Sequence, residues 1–95
     1  MIEEISPLNI VHRLKTEPLQ LAIWHKLREY DISYTIWYQT NQPHFEVHME
    51  ISVWDGRGHE TAHEILDEPA LLARLNEILS EGRIQSIAFL PYQPE

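Results

Sequence analysis

The sequence predicts an α+β domain with the order α-β-β-β-α-β, in which two helices pack on one face of an antiparallel sheet. Two segments begin with a capping residue, a glutamate and a proline, as helices often do. Between them, two runs alternate apolar and polar residues with period two, as half-buried strands do. A chain of 95 residues is enough for one hydrophobic core. We therefore expect a single domain over residues 1–95.

The N-terminal segment 1–15 is expected to be irregular, or to form a short turn of helix near 7–14. The first predicted helix begins at the sequence T-E-P (16–18) and extends from about 17 to 29. Four apolar residues at helical spacing would form its buried stripe. They are Leu19, Ile23, Leu27 and Tyr30.

Two strands are predicted next, over 32–39 and 44–53, joined by the loop 40–43. Pairing Gln39 with His44 brings the apolar residues of both strands onto the same face, which supports this register. The pairs are then Tyr38 with Phe45, Ile36 with Val47 and Tyr34 with Met49.

The second helix is predicted over 68–81, beginning at the sequence D-E-P (67–69) and capped at its end by Gly82. Its apolar residues recur at helical spacing: Leu71, Leu72, Leu75, Ile78 and Leu79. A last strand follows over 83–90. A right-handed crossover would place it parallel to the first strand of a three-stranded meander, in the spatial order 4-1-2-3. The proline-rich end, 91–95, is expected to be a flexible tail.

One segment matches a pattern with a chemical mechanism. Residues 59–63, His59-Glu60-Thr61-Ala62-His63, have the zincin form H-E-x-x-H. On a helix the Cα atoms of the two histidines are about 6 Å apart, so both can bind one zinc ion while Glu60 acts as general base. On a strand they are about 13 Å apart, and Glu60 points to the opposite face. The metal site therefore requires a helix.

The flanking residues favour a strand instead. Asp55-Gly56 is a strong hairpin signal, and the start of the next helix at 67 leaves little room for another. Two registers stay open for this strand. A two-residue turn places Glu60 and Glu64 on the core face, whereas a three-residue loop places Thr61 and Ile65 there.

Composition limits the classes of function. A formal net charge of -8 argues against binding to a phosphate backbone and favours a basic partner or simple solubility. The absence of cysteine fits a reducing cytoplasm. Apolar stretches are too short to span a bilayer or to form a signal peptide. We therefore expect a cytoplasmic protein that contacts neither nucleic acid nor membrane.

The solvent side of the predicted hairpin suggests a partner surface. Trp37, Glu46, His48 and Trp54 lie on it, and exposed tryptophan is enriched in protein interfaces. We expect a small acidic protein-binding or regulatory module without catalysis or cofactor. It would be an inhibitor, an antitoxin-like or immunity-like protein, or a chaperone-like protein, and it would bind a partner protein or form a homodimer. The alternative is a small zinc-dependent hydrolase that uses His59 and His63 as ligands and Glu60 as base.

Overall fold

The computed structural model describes residues 6–53, 58–80 and 84–92. These residues form a single antiparallel sheet with two helices, which confirms the predicted α+β class. The elements are, in chain order, α1 (Pro7–Thr16), β1 (Leu19–Leu27), β2 (Tyr30–Gln39), β3 (His44–Val53), β4 (His59–Leu66), α2 (Glu68–Ser80) and β5 (Ile84–Pro91). The strands lie in the order β4-β3-β2-β1-β5. Neither helix is long and apolar enough to cross a membrane within the described ranges.

Both helices pack on the same face of the sheet, which we call the inner face, as predicted. Apolar residues from α1, α2 and the three central strands form one buried core there. The largest completely buried apolar side chains are Phe45, Ile10, Leu21, Ile23, Ile36, Leu71 and Leu75. The opposite face of the sheet carries no helix from the described part of the chain, and we call it the outer face.

The prediction of a helix over 17–29 is wrong, because this segment contains strand β1. The helix of this region lies earlier, over Pro7–Thr16, where only a short turn was expected. Ser6 caps it by accepting a hydrogen bond from the backbone N–H of Asn9 (3.3 Å). Thr16 is its last residue, and the Thr16 hydroxyl donates to the carbonyl of His12 (2.9 Å).

The predicted pairing of β2 with β3 is confirmed residue by residue. Gln39 lies opposite His44, Tyr38 opposite Phe45, Ile36 opposite Val47 and Tyr34 opposite Met49. This register places the apolar residues of both strands on the inner face, where Ile36, Phe45 and Val47 are buried. The centre of the sheet therefore follows from the alternation of the sequence.

The predicted position of the last strand is wrong. Strand β5 pairs antiparallel with β1 and not with β2, because β1 occupies the place beside β2 where the order 4-1-2-3 put the last strand. The end of the chain also differs from the expected tail. Pro91 belongs to β5, and the backbone N–H of Tyr92 donates to the carbonyl of Pro18 (2.9 Å). The predicted cap Gly82 and the remaining tail residues 93–95 lie outside the described residues.

Residues 59–66 form strand β4 at one edge of the sheet, in the first of the two open registers. Ser52 lies opposite His59 and Val47 opposite Glu64, which places Glu60 and Glu64 on the inner face. The alternative with Thr61 and Ile65 inward is wrong. Two features lower the cost of placing the Glu60 and Glu64 carboxylates on the inner face. Arg74 of α2 pairs with Glu64 at 2.6 Å, and Glu60 stays exposed at the edge.

Candidate functional site

The outer face of the sheet gathers side chains from all five strands. Because strand partners directly opposite each other point to the same side, the register defines rows of neighbours across the sheet. One row consists of Ile65, Glu46, Trp37, Gln20 and Leu90. The next row consists of His63, His48, Thr35, Ala22 and Ala88. These two rows contain Glu46, Trp37, His48 and His63, around which the candidate site is built.

Glu46 is the centre of the polar part of this site. One carboxylate oxygen, Oε1, lies 2.9 Å from Nε2 of His63, and the other, Oε2, lies 3.4 Å from Nε2 of His44. The side-chain amide of Gln39 donates to Oε2 at 3.5 Å. The Glu46 side chain is only 18% exposed although no helix of the described residues covers it. Its two histidine neighbours therefore provide much of the environment of this carboxylate.

The surroundings of Glu46 keep its carboxyl ionised. Partial burial acts to raise the pKa of Glu46, but the hydrogen bonds from His63, His44 and Gln39 outweigh burial and hold the pKa below its ordinary range. Glu46 is therefore a fixed negative charge near neutral pH, and it is held in place by a residue of β4, the last residue of β2 and the first residue of its own strand. An anion in this setting is a preorganised acceptor for a donor from another molecule.

An aromatic group adjoins this carboxylate. The ring of Trp37 stacks on that of Tyr92 with centroids 5.4 Å apart and an angle of 26°. On its other side Trp37 contacts the ring of His48 at 5.4 Å, and His48 contacts His63 at 4.6 Å. Four rings thus follow one another from Tyr92, directly after β5, across the sheet to β4. Large rings of this kind supply contact area at a small cost in side-chain entropy.

Further apolar side chains on the outer face are open to solvent. Trp24 is 43% exposed, Ile65 62% and Leu90 43%, and they lie on β1, β4 and β5 respectively. Together with Trp37 they place apolar groups on four of the five strands. Single exposed apolar residues are common on any protein surface, whereas these lie together on the face that no described helix covers.

The structure brings together three of the four residues predicted as a partner surface. Trp37, Glu46 and His48 lie side by side, whereas Trp54 lies outside the described residues. His44, His63 and Tyr92 also belong to this group, although they are not among the predicted residues. His44 is two residues from Glu46 on a predicted strand, so its place on the same face was visible. The contact of His63 depends on the β3–β4 register, which the sequence left open.

The residues of the H-E-x-x-H pattern are not in the arrangement that a zincin requires. They lie in β4, so His59 and His63 are about 13 Å apart, and Glu60 points to the inner face while both histidines point to the outer one. His63 meets His48 and Glu46 instead of sharing an ion with His59. Within the described ranges, no group of three or more histidine, aspartate or glutamate side chains has the geometry of a metal site.

A second feature lies at the far end of the inner face, beyond the helices. It is an open cavity of about 550 Å³ with walls of Tyr30, Ile32, Ile51 and Val53. Gly58 completes one side, where an added Cβ would come within 2.8 Å of a methyl group of Val53, so that any larger residue would move that wall. The cavity is mainly apolar, with His59 and Glu60 at its rim.

No family model, no curated protein and no solved structure matches this chain.

Proposed function

We propose that this protein is a small acidic protein-binding module that acts in the cytoplasm without catalysis and without a cofactor. The outer face of its sheet would bind a partner protein or a second copy of the chain. Such a module would regulate its partner in the manner of an inhibitor, an antitoxin-like or immunity-like protein, or a chaperone-like protein. The observation that carries the proposal is the contact group of Trp37, Tyr92, His48 and Glu46 on the outer face, where the described residues place no helix.

The chemistry of this group fits the residues that dominate binding energy at interfaces. Tryptophan and tyrosine are enriched among such residues, and they act best when the partner excludes water around them. Beside Trp37, the ionised Glu46 is an acceptor for an arginine or lysine of the partner, in addition to the hydrogen bonds that it accepts within the chain. The net charge of -8 would speed the approach of a basic surface.

Photo-crosslinking in the cells that make the protein tests this proposal. A photoreactive amino acid is placed at Glu50 or Ser33, two exposed positions on the outer face, and in a matched control at the exposed Asn76 of α2. We expect a discrete covalent adduct from Glu50 and Ser33 and none from Asn76. Mass spectrometry of the adduct then distinguishes a second copy of the chain from another protein.

The substitution Trp37→Ser, introduced beside the crosslinker, identifies the contact that matters. We expect it to remove the adduct while the circular dichroism spectrum of the protein stays unchanged, because Trp37 is half-buried and lies outside the core. An adduct of equal yield from Asn76, or an adduct that Trp37→Ser does not reduce, would contradict the proposal.

A further inference from the structure

The two edges of the sheet differ in their charge. Strand β4 carries His59, Glu60, His63 and Glu64, whereas β5, from Ile84 to Pro91, carries no charged residue. Natural sheets use charged side chains on edge strands to prevent pairing with other chains. Edge β4 is protected in this way and edge β5 is not. Among the described residues, β5 pairs only with β1.

The backbone groups of β5 that face away from the sheet can be identified. Tyr92 donates its N–H to the carbonyl of Pro18, which makes these two residues a hydrogen-bonded pair of the antiparallel ladder. Such pairs recur at every second residue, so Ser86, Ala88 and Leu90 direct their N–H and carbonyl groups towards β1. Ile87 and Phe89 therefore direct theirs outward, towards the side of β5 on which no described strand pairs, which we call the free edge.

The position of Pro91 agrees with this assignment. It has the same parity as Ile87 and Phe89, so the N–H that proline lacks would have pointed to the free edge. Proline within sheets is found at such positions because the loss of its donor leaves the internal ladder intact. The outward donors of β5 that remain in the regular part of the strand are those of Ile87 and Phe89.

We propose that β5 pairs with β5 of a second copy, antiparallel and about a two-fold axis through Ala88, so that two five-stranded sheets become one sheet of ten strands. This inference rests on the proposed function in that it takes the second copy as a partner. In this register Ile87 of each copy forms a hydrogen-bonded pair with Phe89 of the other. Ala88 faces its own equivalent in a non-hydrogen-bonded pair, where Cα atoms approach to about 4.5 Å, and its side chain is small enough to allow that.

The irregular residues of β5 support this register. Gln85 is the additional residue at the bulge in the β1–β5 ladder, because Trp24 pairs with Ser86 and the next residue, His25, pairs with Ile84. In the register centred on Ala88, Gln85 of one copy lies opposite Pro91 of the other. The two positions least suited to regular pairing thus coincide at the ends of the paired segment, and the residues between them are regular.

Charge also favours a second copy at this edge. Two chains of net charge -8 repel each other, and the repulsion is weakest where each contributes an uncharged strand. The guanidinium of Arg13 lies over the ring of Phe89, 4.2 Å from its centroid. Because Arg13 is paired with Glu17, its charge at this edge is offset within the chain. An interface that maps onto itself by a two-fold axis is also the commonest form of protein dimer.

The mass of the protein in solution tests the inference. We expect light scattering at high micromolar concentration to give twice the chain mass of 11.3 kDa. Ala88→Lys places two like charges opposite each other at the axis and should raise the dimer dissociation constant at least about tenfold. The control Thr61→Lys adds the same charge at an exposed position of β4, on the same face, and should change the constant less than about twofold.

Amide hydrogen exchange gives an independent readout. The outward N–H groups of Ile87 and Phe89 should exchange rapidly in dilute protein and slowly in concentrated protein, while that of Ala88, bonded within the sheet, should be protected in both. A protein that is monomeric at every concentration would overturn the inference and leave outer-face binding of another protein standing. Dissociation by Trp37→Ser but not by Ala88→Lys would overturn it in favour of a dimer formed through the outer face.

Discussion

Two segments of this protein begin with the same local pattern and fold differently. Residues 16–18 (T-E-P) lead into strand β1, and residues 67–69 (D-E-P) lead into helix α2. Their first residues have opposite roles. The Thr16 hydroxyl donates to the carbonyl of His12 at the end of α1, whereas the Asp67 carboxylate accepts from the N–H of Ala70 (3.0 Å) at the start of α2. Proline after a glutamate is compatible with both outcomes, because it restricts only its own φ and the preceding residue.

The residues after each proline decide the outcome. In β1 the buried side chains Leu21 and Ile23 alternate with more exposed ones, and this strand lies between β2 and β5. In α2 the buried side chains Leu71, Leu75 and Ile78 recur every three or four residues. Periodicity over a whole segment therefore outweighs a capping signal of three residues, because burial of the apolar face contributes more free energy than one cap.

The largest expected effect tests this explanation at Ile23. Its side chain is 2% exposed and lies between Tyr34 of β2 and Ile87 of β5. We expect Ile23→Ala to lower the free energy of unfolding by about 3 kcal/mol, because it removes buried methyl groups and leaves a cavity. Urea denaturation followed by circular dichroism measures this.

A matched alanine substitution in α2 sharpens the comparison. Asn76 is exposed in the helix, so Asn76→Ala should raise the free energy of unfolding by about 0.5 kcal/mol through helix propensity alone. Helix propensity returns at most a few tenths of a kcal/mol, so the cost at Ile23 measures burial. A loss below about 1 kcal/mol would therefore contradict the burial of Ile23 between β2 and β5.

The comparison also shows how far the sequence predicts this fold. Strands β2 and β3 were predicted with their register, and α2 to within one residue, because each follows a single periodicity over ten or more residues. Strand β1 was missed because Leu19, Ile23, Leu27 and Tyr30 also fit a helical stripe. The sequence leaves the register of the edge strand β4 open. The inner position of Glu64 depends on its partner Arg74 of α2, and that contact exists only in the folded chain.

The candidate site was predicted to the same extent as the strands that carry it. Trp37, Glu46 and His48 follow from the β2–β3 register. His63 required the β4 register. Tyr92 was assigned to a flexible tail on composition, and it stacks on Trp37 because its backbone continues the β1–β5 ladder past Pro91.

The next largest effect on stability concerns Asp67 and Thr16, the first residues of the two shared patterns. Asp67→Ala removes the acceptor for the Ala70 N–H and should lower the free energy of unfolding by about 1 kcal/mol. Thr16→Ala removes a donor whose acceptor, the His12 carbonyl, is at an exposed helix end where water replaces it, so we expect a loss below about 0.5 kcal/mol. Thermal and urea unfolding of both variants measure the difference. Equal losses would mean that Thr16 caps a helix in its own right.

A smaller effect depends on pH and concerns the contact between α2 and β4. The hydrogen bond from Arg74 lowers the pKa of Glu64, and partial burial opposes this less strongly. A lowered folded pKa means that the contribution to stability is complete above the ordinary glutamate value of about 4.3 and is lost as pH falls through the lower value. With Glu64 39% exposed, water screens the pair, and we expect less than about 1 kcal/mol.

The variant Glu64→Gln isolates this contribution. The difference in free energy of unfolding between the parent protein and Glu64→Gln should be constant from pH 7 to about 5 and should decline as pH falls below about 4. Glu46, whose pKa is also lowered, is present in both proteins and cancels in the difference. A difference that grows as the solution becomes more acidic would have the wrong sign for a lowered folded pKa.

The smallest expected effect is the difference in stability between variants at the two glutamates of the shared pattern, Glu17 and Glu68. Glu68 lies in the first turn of α2, where the helix dipole favours a negative charge, and it accepts from Lys15 at 2.9 Å. Glu17 caps the C-terminal end of α1, where the dipole disfavours the same charge, and its pair with Arg13 at 3.4 Å offsets that. Glu68→Gln should therefore lower the free energy of unfolding, by about 0.5 kcal/mol from the dipole. Glu17→Gln should change it by less than about 0.3 kcal/mol.

Salt provides the control for this last comparison. Both glutamates are largely in contact with water, so added salt should reduce the effect of Glu68→Gln towards that of Glu17→Gln. Urea unfolding at low and at high ionic strength measures this directly. If the two variants were equally destabilised at low salt, the position of each glutamate relative to a helix end would carry no weight. The shared pattern of a capping residue, a glutamate and a proline would then act alike in both places, against the opposite roles that Thr16 and Asp67 have in the structure.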